Sequence, residues 1–193
     1  NNTMKKLIVL FFLSQIFVGF AQDIYLHCGQ LIDTEKEEVF TEKTIVVSGN
    51  KIKSIENGYI TSDNPNDTVV DLKSKTVMPG LIDMHVHMEN EYNPARYMDQ
   101  FTANEADVAF KSVNYAEITL LAGFTTVRDL GGTGVNIALR NAINNNTILG
   151  PRIFTAGKAI ATTGGHADPT NGRNKLLMGD PGPEQGVINS PDE

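Results

Sequence analysis

The stretch Val77-Met78-Pro79-Gly80-Leu81-Ile82-Asp83-Met84-His85-Val86-His87 decides how this sequence is read. Pro79-Gly80 breaks the preceding pattern, and the mostly apolar run that follows predicts a strand buried on both faces. His85 and His87 stand two apart on that strand, so both imidazoles project from one face. Two neutral imidazoles so placed can share one borderline-soft divalent ion such as zinc. A bare His-x-His pair is weak evidence, but this pair closes a buried strand that leads into a helix. In a parallel barrel, that end of the strand is where active sites form.

Moving outward toward the C-terminus, Asn104 to Ala122 has a helical pattern, with Ala106, Ala109, Phe110, Val113, Ala116 and Leu120 along one side and Gly123 as its C-terminal cap. Phe124-Thr125-Thr126-Val127 predicts the next strand, ending in Arg128-Asp129. A helix is expected over Val135 to Ile143 and a third strand over Arg152-Ile153-Phe154-Thr155-Ala156. The order β-α-β-α-β with short connections implies parallel pairing in an α/β domain. From Gly157 the chain is rich in Gly, Pro, Asn and Asp, and no element is assigned there.

Toward the N-terminus, residues 22–76 read as a β portion and 77–193 as the barrel portion. Strands are expected at Ile24-Tyr25-Leu26, Thr44 to Ser48, Lys51 to Ile55 and Thr68 to Leu72. Gly49-Asn50 between two alternating runs predicts a tight hairpin. The whole segment reads as antiparallel. His27 beside Cys28 reads as structural, because one His next to one Cys lacks further ligands. Cys28 itself reads as a small buried hydrophobe.

Residues 1–21 read as a secretory signal, with the natural start at Met4. Lys5 and Lys6 precede an apolar run of about 14 residues, and Gly19-Phe20-Ala21 supplies small residues at the two positions a signal peptidase reads. A membrane span needs about 20 residues. The expectation is therefore an exported protein, periplasmic or secreted, without a stable membrane anchor once the signal is cleaved.

The composition fits a folded domain: 193 residues, 40% hydrophobic and 20% charged. A net charge of −7 argues against a nucleic-acid partner, which needs a basic footprint. A single cysteine excludes an intrachain disulfide scaffold and a multi-cysteine zinc ribbon.

Val77 to His87 resembles the signature of the metal-dependent amidohydrolases, and Ala122-Gly123-Phe124-Thr125-Thr126-Val127-Arg128-Asp129 resembles that superfamily's second strand. Pro151-Arg152-Ile153 with Thr162-Thr163-Gly164-Gly165-His166 narrows the likeness to the imidazolonepropionase-like and Xaa-Pro dipeptidase-like branch. Ser74 departs from it, since relatives often carry glycine in that turn. The resemblance implies a TIM (β/α)8 barrel flanked by a small β-sandwich, of which this chain would hold the N-terminal part. It also implies one or two divalent ions, zinc foremost, activating a water that attacks an amide-type carbon of a dipeptide or other small molecule. His85 and His87 match the family's first-strand metal ligands.

The family's carboxylated lysine, its fifth- and sixth-strand histidines and its eighth-strand aspartate have no counterpart in these residues. Lys158 and Lys175 lie in the wrong context to replace the lysine. The expectation is thus an inactive N-terminal fragment whose general base lies beyond residue 193.

His166, after two glycines, is read as a substrate contact or a support of the metal site, against the alternative of a solvent-facing loop residue. Asp83 is expected to anchor barrel hydrogen bonds. Asp129 is expected to orient a metal-site histidine, pair with Arg128 or cap a helix. Related barrels associate, so a homo-oligomer belongs to the expectation. Two other readings stand beside the dipeptidase one. The first is a cyclic-amide or imidazolone hydrolase on the same scaffold, and the second is a non-catalytic exported binding protein with a degenerate barrel.

Overall fold

The computed structural model describes residues 22–94 and 96–193, so the expected signal at 1–21 lies outside the described residues. The chain divides into two units, one ending at Pro79 and the other spanning Gly80–Glu193.

The first unit contains β1 (Asp23–Asp33), β2 (Glu38–Ser48), β3 (Lys51–Asn57) and β4 (Thr68–Val77), ordered β3-β2-β1-β4 in one sheet. The hairpin expected at Gly49-Asn50 joins β2 to β3. Ser48 pairs with Lys51, and Gly49 takes a φ of +59° that glycine adopts without steric cost. β1 and β2 run farther than the apolar pattern suggests and meet in a second hairpin at 34–37. There the Asp33 carboxylate accepts the N–H groups of Glu35 and Lys36, both at 3.0 Å.

The all-antiparallel expectation is corrected at β4, which pairs parallel to β1. The 58–67 connection carries the chain from the β3 edge to the far side of β1. It is pinned on the way by the buried Thr44 and His27. Thr44 Oγ1 donates to the Gly58 carbonyl at 2.7 Å and accepts the Ile60 N–H at 3.1 Å. His27 Nε2 donates to the Ile60 carbonyl at 2.8 Å, which makes His27 structural as read. Cys28, Leu31 and Ile45 form the core, with Leu26, Phe40, Val47 and Val77 against them. Burial pushes the Cys28 thiol above its ordinary pKa, in keeping with a packing role. A single sheet stands here, so no second layer of the expected sandwich lies among the described residues of this unit.

The second unit contains β5 (Leu81–Val86), α1 (Arg96–Thr102), α2 (Glu105–Leu121), β6 (Phe124–Asp129), α3 (Val135–Asn144) and β7 (Arg152–Thr155). β5, β6 and β7 pair in parallel in that order, as the βαβαβ reading requires. α2 opens with a capping box: the Asn104 side chain accepts from Ala106 and Asp107 N–H, and the Asp107 carboxylate accepts the Asn104 N–H. It ends at Gly123, whose φ is +97° and whose N–H reaches the Leu120 carbonyl at 2.9 Å.

The core of this unit is Met88, Ala116, Val127, Leu139 and Ile153, gathered from the β5 exit, two helices and two strands. Each large apolar side chain so buried contributes about 1.5–3 kcal/mol. Two expectations fail here. Phe110 is 78% exposed and Ala106 is exposed, because α2 buries Ser112 and Ala116 instead. β5 is not covered on both faces: Leu81, Ile82 and Met84 are exposed, because the helices of this unit pack chiefly on β6 and β7. The segment left unassigned after Gly157 holds a short helix α4 (Lys175–Met178), a 3-10 turn (Pro183–Gln185) and a bridge between Ala161 and Val187.

Candidate metal centre

His85 ends β5 and His87 follows it, and their rings lie 5.5 Å apart, edge to face. Both are exposed. His87 Nδ1 lies 2.7 Å from the Gly131 carbonyl oxygen. A carbonyl only accepts, so Nδ1 carries the proton and the lone pair is left on Nε2. This is the arrangement in which a histidine presents its second nitrogen to a metal. The side chains therefore fit a divalent ion at this pair. Among the described residues, no His, Cys, Asp or Glu joins them to make a group of three.

The Gly131 carbonyl is held in place by a buried network around Asp129. Asp129 is fully buried; one carboxylate oxygen accepts the Met88 N–H at 3.0 Å, and the other accepts the Gly131 N–H at 2.9 Å and an Asn136 amide hydrogen at 3.1 Å. The second Asn136 amide hydrogen goes to the Gly157 carbonyl at 2.9 Å, which also takes the Gly132 N–H at 2.8 Å. Of the three roles considered for Asp129, the orienting one is closest. It acts through Gly131 and has neither an Arg128 partner nor a helix cap. Asp83 does anchor backbone, accepting the His85 N–H at 3.0 Å.

Glu89 gives no signal in the sequence, yet it is almost wholly buried. Its carboxylate accepts the Thr133 N–H at 2.6 Å and the Asn136 N–H at 2.7 Å. α3 begins at Gly134, which has no side chain to cap with, and Glu89 supplies the acceptor from a distant loop. The local cue is weak: glycine holds the N-cap position, and Thr133 before it accepts only the Val135 N–H, at 3.4 Å.

His166 is exposed on its loop, with no side-chain partner among the described residues. The buried Asp168 shapes that loop. One oxygen accepts the Gly164 N–H at 2.7 Å, and the other accepts both the N–H and the hydroxyl of Thr170 at 2.7 Å. These donors, led by the Gly164 N–H, hold the Asp168 carboxyl below its ordinary pKa. A pocket of about 490 Å³ opens beside Glu89 and Thr133. Its Arg96, Lys111 and Arg173 are matched by Glu89, Glu91 and Asp99, so it has no anion selectivity by charge. Lys158, set aside as a bridging lysine, donates to the Glu184 carbonyl at 2.7 Å.

The profile of the Amidohydrolase family matches residues 76–187. The solved structure of an Xaa-Pro dipeptidase with methionine bound in its active site is 45% identical to this chain. It superposes with a TM-score of 0.80 over 89% of this chain and 42% of its own. A prolidase complexed with N-methylphosphonate-L-proline is 30% identical, with a TM-score of 0.66 over 88% of this chain and 37% of its own. An ochratoxinase from Aspergillus niger is 31% identical over 152 residues, 74% of this chain and 30% of its own length. The chain thus spans well under half the length of these relatives.

Proposed function

This chain belongs to the amidohydrolase family, and from that premise we propose that its protein is a metal-dependent hydrolase of amide C–N bonds acting on dipeptides. The observation that carries the reading is the His87 Nδ1–Gly131 hydrogen bond, which frees Nε2 beside His85. The likeness to the dipeptidase and the prolidase supports dipeptides as the substrate class, and the ochratoxinase extends it to other amides. A divalent ion at this site supplies Lewis acidity to a carbonyl and acidifies water, and zinc suits an imidazole pair.

The chain's own residues provide the holding and orienting. His85 and His87 present nitrogens, Gly131 fixes the His87 tautomer, and the Asp129–Asn136 network holds Gly131. His166, on the loop braced by Asp168, is proposed to meet the substrate. The remaining ligands and the general base are proposed to lie in the part of the fold this chain does not span. The signal-like segment at 1–21 supports export.

Purified full-length protein is the material for the test, with metal content read by mass spectrometry and hydrolysis read on a panel of dipeptides, Xaa-Pro included. The expected result is stoichiometric divalent metal, with His85→Ala losing metal and at least about a thousandfold in rate. Unchanged metal and activity in His85→Ala would overturn the ligand assignment. A wild-type protein with neither metal nor hydrolysis would instead favour a non-catalytic barrel.

A further inference from the structure

The pairing of β5 with β6 breaks just before the histidines. Asp83 is aligned with Val127 and Val86 with Asp129, so β5 advances three residues where β6 advances two. The extra residue is a bulge, a device that re-aims side chains at strand ends and recurs beside active sites. It frees the Met84 carbonyl from the β6 ladder, while the His85 N–H, on the opposite side of the trans 84–85 peptide, faces the edge of β5 that has no strand partner among the described residues. Ladder pairing resumes at once beyond it, where the Leu130 N–H donates to the Val86 carbonyl at 3.1 Å.

Both groups are taken up by side chains. The Arg128 Nε–H donates to the Met84 carbonyl at 2.7 Å, and the Asp83 carboxylate accepts the His85 N–H at 3.0 Å. The two side chains therefore clamp the peptide plane that enters His85. Rotation of that plane swings the His85 Cα–Cβ bond and changes the angle between the two imidazoles. His87 has its own restraint at Gly131, whereas no hydrogen bond holds the His85 ring among the described residues. The backbone therefore fixes the Cα–Cβ bond from which the His85 rotamers start, and the ring itself meets only that of His87 among the described residues.

We propose that Arg128 and Asp83 are positioning residues for the His85–His87 pair, clamping the Met84–His85 peptide so that both imidazoles address one metal ion. This rests on the metal-site reading above. Charge makes the role of Arg128 separable from a bystander's. A guanidinium next to a dication site repels the dication, so removing it should by itself tighten metal binding. Removing a clamp should weaken it, as loss of an outer partner of a metal site costs about ten- to a hundredfold in affinity.

The test uses full-length protein reconstituted with Co2+, with the dissociation constant read by chelator competition and ligand geometry by the visible absorption band. Arg128→Met and Asp83→Ala are each expected to raise the dissociation constant at least about tenfold and to alter the band. Asp83→Asn, which keeps the acceptor oxygen, should restore most of the affinity lost in Asp83→Ala. The metal-free melting temperature of each variant separates misdirection from unfolding, and Arg128→Ala serves where Arg128→Met does not fold. An unchanged or lowered dissociation constant in Arg128→Met or Arg128→Ala, with the wild-type band, would overturn the clamp while leaving the metal site standing. If wild-type protein binds no Co2+, the metal-site reading fails and the proposal falls with it.

Discussion

Each sheet carries two register breaks, and one from each can be set against the other. In the first unit the break lies between Cys28 and Gln30 of β1, opposite β4; in the second it lies between Asp83 and Val86 of β5, opposite β6. The first is closed by close backbone approach together with Asp71, whose carboxylate accepts the Lys73 N–H at 2.9 Å. Gly29 sits so near Lys73 that a Cβ would fall on the Lys73 carbonyl, and β1 has a full-length partner, β2, on its other side. The second is closed by Arg128 and Asp83, on a strand half as long and with one paired neighbour. Both breaks thus use a carboxylate that accepts the N–H two residues on, but the second adds the Arg128 guanidinium on the opposite side of the same peptide. That peptide is held from both sides, and it adjoins the histidines.

The largest effect is expected at Asp129, the β6 partner of Val86 just past the second break. Asp129→Ala leaves the Met88 and Gly131 N–H groups and the Asn136 amide without their acceptor in a fully buried place. A loss of about 3 kcal/mol or more is expected in urea unfolding of the full-length protein. A loss below 1 kcal/mol would show that water reaches these groups.

Gly29→Ala attacks the other break, where the added methyl must displace the backbone of β4, at about 2 kcal/mol. A neutral result would mean that the strands part without penalty there. Glu89→Ala uncaps α3 and should cost about 1–2 kcal/mol, with faster amide exchange at Thr133 and Asn136 than at the middle of the helix.

A smaller effect is expected from pH. The Asp168 carboxyl is held below its ordinary pKa in the fold, so its support of the His166 loop is complete above the usual carboxylate range. That support is lost as pH falls through the lowered folded value. Amide exchange at Gly164 and Thr170 should therefore accelerate at acid pH in wild type and be fast at all pH in Asp168→Ala. At the bottom of the scale, Lys53→Met removes an ion pair to Asp23 whose lysine is 60% exposed, and no resolvable shift in the unfolding midpoint is expected.

How far these features could be read from sequence depended on how local their causes are. The Gly49-Asn50 hairpin and both ends of α2 were legible, since a positive φ at Gly49 or Gly123 and a capping Asn104 act within a few residues. The adjacency of His85 and His87 was legible for the same reason. The direction of β4 was not, because it is decided by the path of 58–67 and by Thr44 and His27 across the sheet. The turn at 34–37 hid behind Glu35-Lys36-Glu37, which lacks turn residues and is organised by Asp33. In the candidate site, nothing in the sequence marked Glu89 or Asp168, since their partners are chiefly backbone N–H groups that carry no side-chain signature. Phe110 failed as a core position because a helical stripe marks which residues align, not which side of the stripe is covered.

The borrowed cap of α3 bears on the order in which this region assembles. A helix capped by its own Ser or Asp can nucleate as soon as its first turn is made. α3 instead takes its main N-terminal acceptor from a loop more than forty residues upstream, so that share of its stability arrives only once the intervening chain has closed. During synthesis Glu89 leaves the ribosome before α3 does, so each new helix emerges toward a cap already outside. In refolding from denaturant that vectorial head start is gone, and the first turn of α3 gains its cap only with closure of the 89–136 loop.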